Sequence, residues 1–270
     1  MTGNGLASRL ALRFAALAYL AVLLLVPVGV VFYRTFEDGV SAVIDSVTTP
    51  AAISAFWLTL EVALIAVPLN AIFGVFAAMA LVRGRFPGKR LFDALIDLPF
   101  AVSPIVIGLA LLLVYGRNGW FGEFLLDNGI QVIFSTPGIV LATIFVSLPF
   151  VAREVAPVLR EIGDEQEQAA ATLGASGWQT FRRVTLPAIR WGLIYGVVLS
   201  TARAIGEFGA VSVVSGKISG ETETLTLLVE KRFQNFDLAG AYAASALLAV
   251  IALVTLAGMT LLNKREEDTT

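Results

Sequence analysis

Long apolar runs alternate with short polar ones along the whole of this chain. Six of the runs reach the roughly 20 residues that an α-helix needs to cross about 30 Å of hydrocarbon. They cover about 10–33, 56–82, 91–115, 133–152, 191–215 and 239–262. The pattern predicts an all-α polytopic membrane protein with six transmembrane helices. The long polar stretch after the fourth run stands apart from the others. It contains Glu165-Gln-Glu-Gln-Ala-Ala-Ala-Thr-Leu-Gly174, then Ala-Ser-Gly-Trp-Gln-Thr-Phe-Arg-Arg-Val-Thr-Leu-Pro187.

That stretch carries its own helix signals. Asp164 follows Gly163 and is placed to cap a short helix whose first turn holds Glu165 and Glu167, where acidic residues complement the positive helix end. Ala169, Ala170, Ala171 and Leu173 continue it with strong helix formers. Gly174 is free to take a positive φ and end the helix. Ser176 is placed to cap a second helix, with Trp178, Phe181, Arg182 and Thr185 expected on one face. Pro187 is expected to start the next segment and reset its direction. Small alanines let a partner backbone come close, and Trp178 and Phe181 are the kind of anchors that carry interface energy. The residues alone fit two readings, a docking element or an amphipathic loop folded on the membrane surface.

Charge sets the expected orientation. The segments at one side carry Arg9 and Arg13, Arg83, Arg85, Lys89 and Arg90, Arg153, Arg160, Arg182, Arg183 and Arg190, and Lys264 and Arg265, thirteen in all. The other side carries five, Arg34, Arg117, Lys217, Lys231 and Arg232. Basic loops stay cytoplasmic, so both termini and the 153–190 loop are expected in the cytoplasm. Only 15% of residues are charged and 57% are hydrophobic, against about 25% charged in soluble domains. The sequence has no cysteine and no histidine. That excludes disulfides, thiol catalysis, Cys/His metal sites and imidazole chemistry. The first run is too long for a signal-peptide core and lacks an Ala-x-Ala-like cleavage site, so it is read as a retained span.

Within the spans, Pro27, Pro68, Pro99, Pro104 and Pro149 remove backbone donors. Pro99 and Pro104 in the third span either shape a single helix or break it beside a pathway. Small residues in spans two and five, among them Gly74, Ala77, Ala78, Gly192, Gly196 and Ser200, predict close helix contacts. Arg203 and Glu207 are four apart, the spacing of one helix face. Each costs about 2.5–3.5 kcal/mol at a helix centre, so both are expected to face the bundle or water. They form either a structural ion pair or an anion-guiding arginine held by its glutamate. Glu61 and Asn70 receive no role. Asp93 is expected to pair with Lys89 or Arg90, with Asp97 joining them. Glu221 and Glu223 are expected to be solvated or to touch an external partner.

The polar loop resembles the EAA loop of ABC-importer permeases, E-A-A-x3-G-x9-[I/V]-x-L-P. The matching positions are Ala169, Ala170, Gly174, Val184, Leu186 and Pro187, with Gln168 where the family has Glu. Ile96-Asp-Leu-Pro-Phe-Ala-Val-Ser-Pro-Ile-Val-Ile-Gly-Leu109, Tyr115-Gly-Arg-Asn-Gly119 and Arg203-Ala-Ile-Gly-Glu-Phe-Gly-Ala-Val-Ser-Val-Val-Ser-Gly216 are similar to sulfate/thiosulfate importer permeases, of the CysW type. The resemblance implies a type I ABC importer (MetI-like) fold: a first helix and outer loop over 1–54, a permease core over 55–263 with its coupling loop at 160–190, and a cytoplasmic tail over 264–270. It implies a non-catalytic inner-membrane subunit working by alternating access. The implied partners are a second homologous permease, two copies of a cytoplasmic ATPase, an extracytoplasmic sulfate-binding protein and membrane lipid, with no nucleic acid. ATP and magnesium would sit on the ATPase, since the chain has no G-x4-G-K-[S/T] loop, and no cofactor or metal is expected here.

On this reading the ATPase-coupling residues are Glu165, Glu167, Gln168, Ala169, Ala170, Leu173, Gly174, Trp178, Phe181 and Pro187, with Glu165 or Glu167 standing in for the family Glu. The candidate anion pathway is Ser103, Pro104, Thr201, Arg203, Glu207 and Ser212. The alternatives are a molybdate/tungstate-type permease and an ion-coupled secondary carrier. A membrane enzyme is disfavoured, because no clustered carboxylate, His or Cys constellation faces one site.

Overall fold

The computed structural model describes residues 3–267, with side-chain surroundings for 9–255, 257 and 258. The described residues are helical, without strands. The first span is α1 (Gly3–Leu20) and α2 (Val26–Phe36), joined by a π-helical turn over Ala21–Leu25. Its apolar surface stands off the bundle, and α2 touches the last helix, where the Thr35 hydroxyl donates to the carbonyl of Tyr242 at 3.1 Å. A short α3 (Val40–Val47) leads into α4 (Pro50–Val82). Thr49 caps α4 by accepting from the Ala52 N–H at 3.2 Å. With 33 residues, α4 is about 50 Å long and overruns the hydrocarbon.

The third span is where the helix pattern breaks. It divides into α5 (Lys89–Ala101) and α6 (Pro104–Tyr115), which meet at 112°. Pro104 sterically excludes helical ψ at the residue before it, and Ser103 sits at ψ 135° after Val102 at ψ 137°. The two prolines therefore do more than shape one helix. After α7 (Gly122–Asp127) comes α8 (Thr136–Glu161), which runs nine residues past the expected end at 152. Pro149 and Pro157 lie inside it without ending it.

The polar loop folds as α9 (Glu165–Thr172), α10 (Gly177–Thr180), a π-helical turn over Phe181–Thr185, and α11 (Leu186–Ala188). The fifth span is α12 (Arg190–Ile205), ten residues shorter at its far end than the expected 215. Beyond it the chain unwinds, then makes one turn, α13 (Val211–Val214), and an outer helix, α14 (Leu225–Gln234), that the apolar pattern does not announce. α15 (Leu238–Glu267) is the last span. It carries the first four residues of the expected tail in helix, while 268–270 lie outside the described residues. Among the described residues, four helices are long and apolar enough to cross a membrane, and up to six spans result if each of two bent pairs counts as one.

α4, α8 and α12 form the centre. At the loop end they enclose Val75, Ala78, Val151, Val155, Leu159 and Ile189. At the other end α4 and α8 close with α6 and α13 over Leu58, Val62, Ile107, Ile139, Val146 and Val211. Glycines set the closeness. A Cβ on Gly74 would lie 2.6 Å from Val151 Cβ, and one on Gly196 would lie 2.7 Å from Val151 Cα. Helices in lipid associate through such packing, because the bilayer is as apolar as their side chains.

Candidate coupling loop and permeation break

The loop between α8 and α12 is built from local stop and start signals. Gly174 takes φ +84° and ends α9. Its N–H donates to the Ala171 carbonyl and the next N–H, of Ala175, reaches the Ala170 carbonyl, both at 3.0 Å, satisfying the last carbonyls of the helix. Ser176 starts α10 with a reciprocal cap: Gln179 N–H donates to Ser176 Oγ, and Ser176 N–H donates to Gln179 Oε1. The expected cap at Asp164 is absent, since its side chain makes no bond to the start of α9.

Trp178, Phe181, Arg182 and Thr185 do not share a face. The π-helical turn over Phe181–Thr185 widens the spacing, so Thr185 is buried while Arg182 is exposed. Phe181 instead stacks between Trp178 and Phe76 of α4, with ring centroids 5.5 and 6.3 Å apart. Pro187 lies in α11 and is exposed, and the 71° change of direction falls after it, at Ile189. Leu173 (89% exposed) and Trp178 (66%) stand out of the loop. Beside Leu173 a shallow cleft is lined by Ala170, Gly174, Gln179 and Arg183. Glu165, Gln168 and Ala169 are exposed as well. Glu167 is not free: Oε2 accepts from Arg83 Nε at 3.0 Å and Oε1 from the Thr185 hydroxyl at 2.9 Å.

Two breaks meet on the far side of the bundle. A Cβ on Gly209 would lie 2.8 Å from Pro104 Cβ, and one on Gly108 would lie 2.7 Å from the Ala210 carbonyl. The unwound segment after α12 thus packs directly on the start of α6. Arg203 and Glu207 are paired, Nη2 to Oε2 at 2.7 Å. They do not share a helix, because α12 ends at Ile205 and Glu207 lies in the unwound segment. The Glu207 side chain is 1% exposed and that of Arg203 is 31% exposed. Glu207 Oε1 accepts from the Ala210 N–H at 2.8 Å, and the Thr226 hydroxyl donates to the Glu207 carbonyl at 2.8 Å. One carboxylate therefore neutralises the arginine and also holds the unwound backbone. Thr59, Thr143 and Thr224 line a void beside it about the size of one water.

Of the other candidates, Ser103 sits exposed at the α6 break next to Pro104. Ser212 donates to the Gly209 carbonyl at 2.8 Å, and Thr201 donates back to Val197 within α12 at 2.7 Å. The structure so gathers Pro104, Gly209 and Ser212 at one junction and Arg203 with Glu207 beside it, while Thr201 spends its hydroxyl on its own helix.

Several partners differ from expectation. Asp93 and Asp97 both pair with Arg153 of α8 at 2.7 Å, not with Lys89 or Arg90. Lys89 spends its charge on the Gly84 carbonyl at 3.0 Å. Glu223 is buried rather than solvated and pairs with Lys231 at 2.9 Å, while Glu221 is exposed. Asn70, which received no role, is fully buried and ties α4 to α8 through the Ser147 hydroxyl at 2.8 Å and the Ile144 carbonyl at 3.1 Å. Glu61 is exposed on α4, next to Val62, which packs at the depth of Glu207.

Comparison with known proteins agrees with this architecture. Residues 70–268 match the family described as binding-protein-dependent transport system inner membrane component. The sulfate transport system permease protein CysW of Synechocystis sp. is 54% identical over 93% of this chain and 91% of its own length. CysW of Escherichia coli is 51% identical over 92% and 85%. The related permease CysT of Salmonella typhimurium is 40% identical over 93% and 90%. Among solved structures, a bacterial ABC transporter involved in the import of the acidic polysaccharide alginate has a chain with TM-score 0.78 at 17% identity, over 94% of both chains. The inward-facing MetNI methionine ABC transporter gives TM-score 0.60 at 16% identity over 80% of this chain and 95% of that one. The fold is that of type I ABC importer permeases, and the chain belongs to the family of binding-protein-dependent transport system inner membrane components.

Proposed function

We propose that this chain is one of two permease subunits of an ATP-driven sulfate importer in the cytoplasmic membrane, a non-catalytic subunit whose ATP and magnesium sit on a separate ATPase. The observation that carries the reading is the α9–α10 loop. It is closed at the end of α9 by Gly174 and opened at the start of α10 by a capping box, is fixed to the bundle, and yet presents Leu173 and Trp178 outward. A folded knob of this kind suits a groove on a partner, and small alanines at Ala169 and Ala170 let that groove close on it. The sulfate assignment draws on relatives at 51–54% identity that are named sulfate permeases. Thiosulfate, as a similar oxyanion, is included in the proposal.

In this assembly two ATPase copies grip the loops of two permeases, with both termini cytoplasmic. An external binding protein delivers the anion at the opposite face. Closing the ATPase pair moves the loop, and α12 carries the motion to the junction of the two breaks, where Arg203 meets the anion. Two discontinuous helices meeting in the bundle are a known means of exposing backbone groups to a substrate. The second permease covers the α4 surface that carries Glu61, because a carboxylate turned to lipid costs about 2.5–3.5 kcal/mol.

Purification of this chain from its native membrane tests the reading. The expected result is an ATPase and a second six-span chain in the same complex, with labelled sulfate taken up in preference to molybdate. Transport by the purified chain alone in liposomes, without an ATPase, overturns it in favour of a secondary carrier.

A further inference from the structure

α9 is a helix of eight residues held between two glycines with positive φ, Gly163 at +64° and Gly174 at +84°. Such joints give a helix freedom to swing. A guanidinium from outside the loop restrains it. Arg83, at the end of α4, donates from Nε to Glu167 Oε2 at 3.0 Å, from Nη1 to the Leu159 carbonyl at 2.9 Å, and from Nη2 to the Gly163 carbonyl. Leu159 lies in the last turn of α8, where carbonyls lack helical partners and favour a cation. The second oxygen of Glu167 takes the buried Thr185 hydroxyl at 2.9 Å, on the turn that leads into α12. Four elements, α4, α8, α9 and the approach to α12, therefore meet on one ion pair whose side chains are about one-fifth exposed.

We propose that Arg83 is a positioning residue for energy coupling, and that it locks α9 to the transmembrane bundle so that a load on the loop moves α4 and α12 instead of bending Gly163 and Gly174. Arginine suits the task because its planar fork reaches three acceptors in different directions, where lysine offers one point charge. The same geometry reassigns Glu167. Its charge is used inside the chain, so it does not replace the family glutamate missing at Gln168 in a contact with the ATPase. This inference rests on the importer reading above.

The test uses the assembled complex with Arg83→Gln, Glu167→Gln, the double variant and Arg83→Lys. Three quantities are read: ATPase retained on the permease, ATPase stimulation by loaded binding protein, and sulfate uptake. The expected result is ATPase retention within twofold of the parent. Stimulation and uptake are expected to fall roughly tenfold in either single variant, the size expected when one charged hydrogen-bonded pair is lost. The double variant is expected to be no worse than the singles, since both remove the same joint. Arg83→Lys restores part of the loss. As the sequence holds no cysteine, spin labels on Gln168→Cys and Arg85→Cys report the joint directly, and their distance distribution broadens when Arg83→Gln is added. Uptake within twofold of the parent, or an unchanged distance distribution, overturns the proposal. Loss of ATPase retention in step with uptake also overturns it, because it makes Arg83 an ordinary support of the docking surface. A parent chain that brings down no ATPase defeats the importer reading, while the label distances still decide whether Arg83 holds the loop.

Discussion

Removing Arg203 and removing the charge of Glu207 are unequal perturbations, although the two residues form one pair. The Glu207 side chain is 1% exposed, whereas 31% of Arg203 reaches the surface. Arg203→Ala leaves a buried carboxylate whose remaining partner is the Ala210 N–H. Breaking one side of a buried pair costs about 3–5 kcal/mol, and the partial exposure of Arg203 places this case near about 3 kcal/mol. Glu207→Gln keeps an oxygen to accept from Ala210, and the freed arginine can turn to water. Its cost is that of one charged hydrogen bond, about 1.5 kcal/mol. At about 2–4 °C per kcal/mol for a chain of this size, the melting temperature should fall by about 6–12 °C in Arg203→Ala and about 3–6 °C in Glu207→Gln. Fluorescence-detected size exclusion after heating measures both. Uptake separates the roles further. If Arg203 meets the anion, uptake per assembled complex falls in Arg203→Ala and is largely kept in Glu207→Gln, where the cation remains. Equal melting shifts refute the burial argument, and uptake that merely follows the amount of assembled protein refutes the role of Arg203 in the path.

Three further outcomes are expected. Gly196→Ala places a carbon 2.7 Å from the backbone at Val151, so α8 and α12 must part, at about 1–3 kcal/mol. Gly29→Ala meets nothing within 4 Å and gains up to about 1 kcal/mol of helix preference; a melting comparison in which both behave alike contradicts the packing. Leu173→Ala removes a side chain that is 89% exposed in the free chain. If docking buries it, ATPase affinity drops by about 2 kcal/mol, roughly thirtyfold, in a titration of ATPase onto the permease; unchanged affinity shows that the groove does not cover Leu173. Glu61→Cys in this cysteine-free sequence should crosslink to the second permease, and labelling of that cysteine solely from the lipid phase contradicts the assigned interface.

The sequence reveals those features whose signals are local. Gly174 and Ser176 mark the end of α9 and the start of α10, because a positive φ and a side-chain cap are decided within three residues. The Arg203–Glu207 pair is legible from its spacing, but its setting is not: four residues suit a helix face, and only Gly206 and Gly209 hint that α12 stops between them. Partners chosen at long range stay hidden. Asp93 has two cations in the preceding turn and takes Arg153 from 60 residues away, because α8 packs along α5 and Lys89 turns to Gly84 instead. Arg83 and Glu167 are 84 residues apart, and nothing in the loop motif points to α4. The far end of the fifth span is misjudged for a related reason. Residues 206–215 are apolar enough to continue a helix, yet the contact of Gly209 with Pro104 and the grip of Glu207 on Ala210 favour an unwound chain.

α12 connects the polar loop to the unwound segment. At one end it begins one residue after Ile189, where the loop turns through 71°. At the other it ends at Ile205, beside the Arg203–Glu207 pair and the junction with α6. Its 16 residues span about 24 Å. Over that length Gly192 and Gly196 bring it close to the backbone of α8: a Cβ on Gly192 would lie 2.9 Å from the Glu154 carbonyl, and one on Gly196 would lie 2.7 Å from Val151 Cα. A helix held so closely slides or tilts as a unit with its neighbour and does not bend along its length. On the proposed coupling role, motion delivered at the Arg83 joint, which also binds the Leu159 carbonyl at the end of α8, would be passed along α12 to the unwound segment. On the side of the bundle away from the loop, the chain gives up helical hydrogen bonds at the break at Ser103 and at Gly206–Gly209. Those breaks touch through Gly209 and Pro104, so on the coupling reading a load on the loop is carried to a junction that lies beside the Arg203–Glu207 pair.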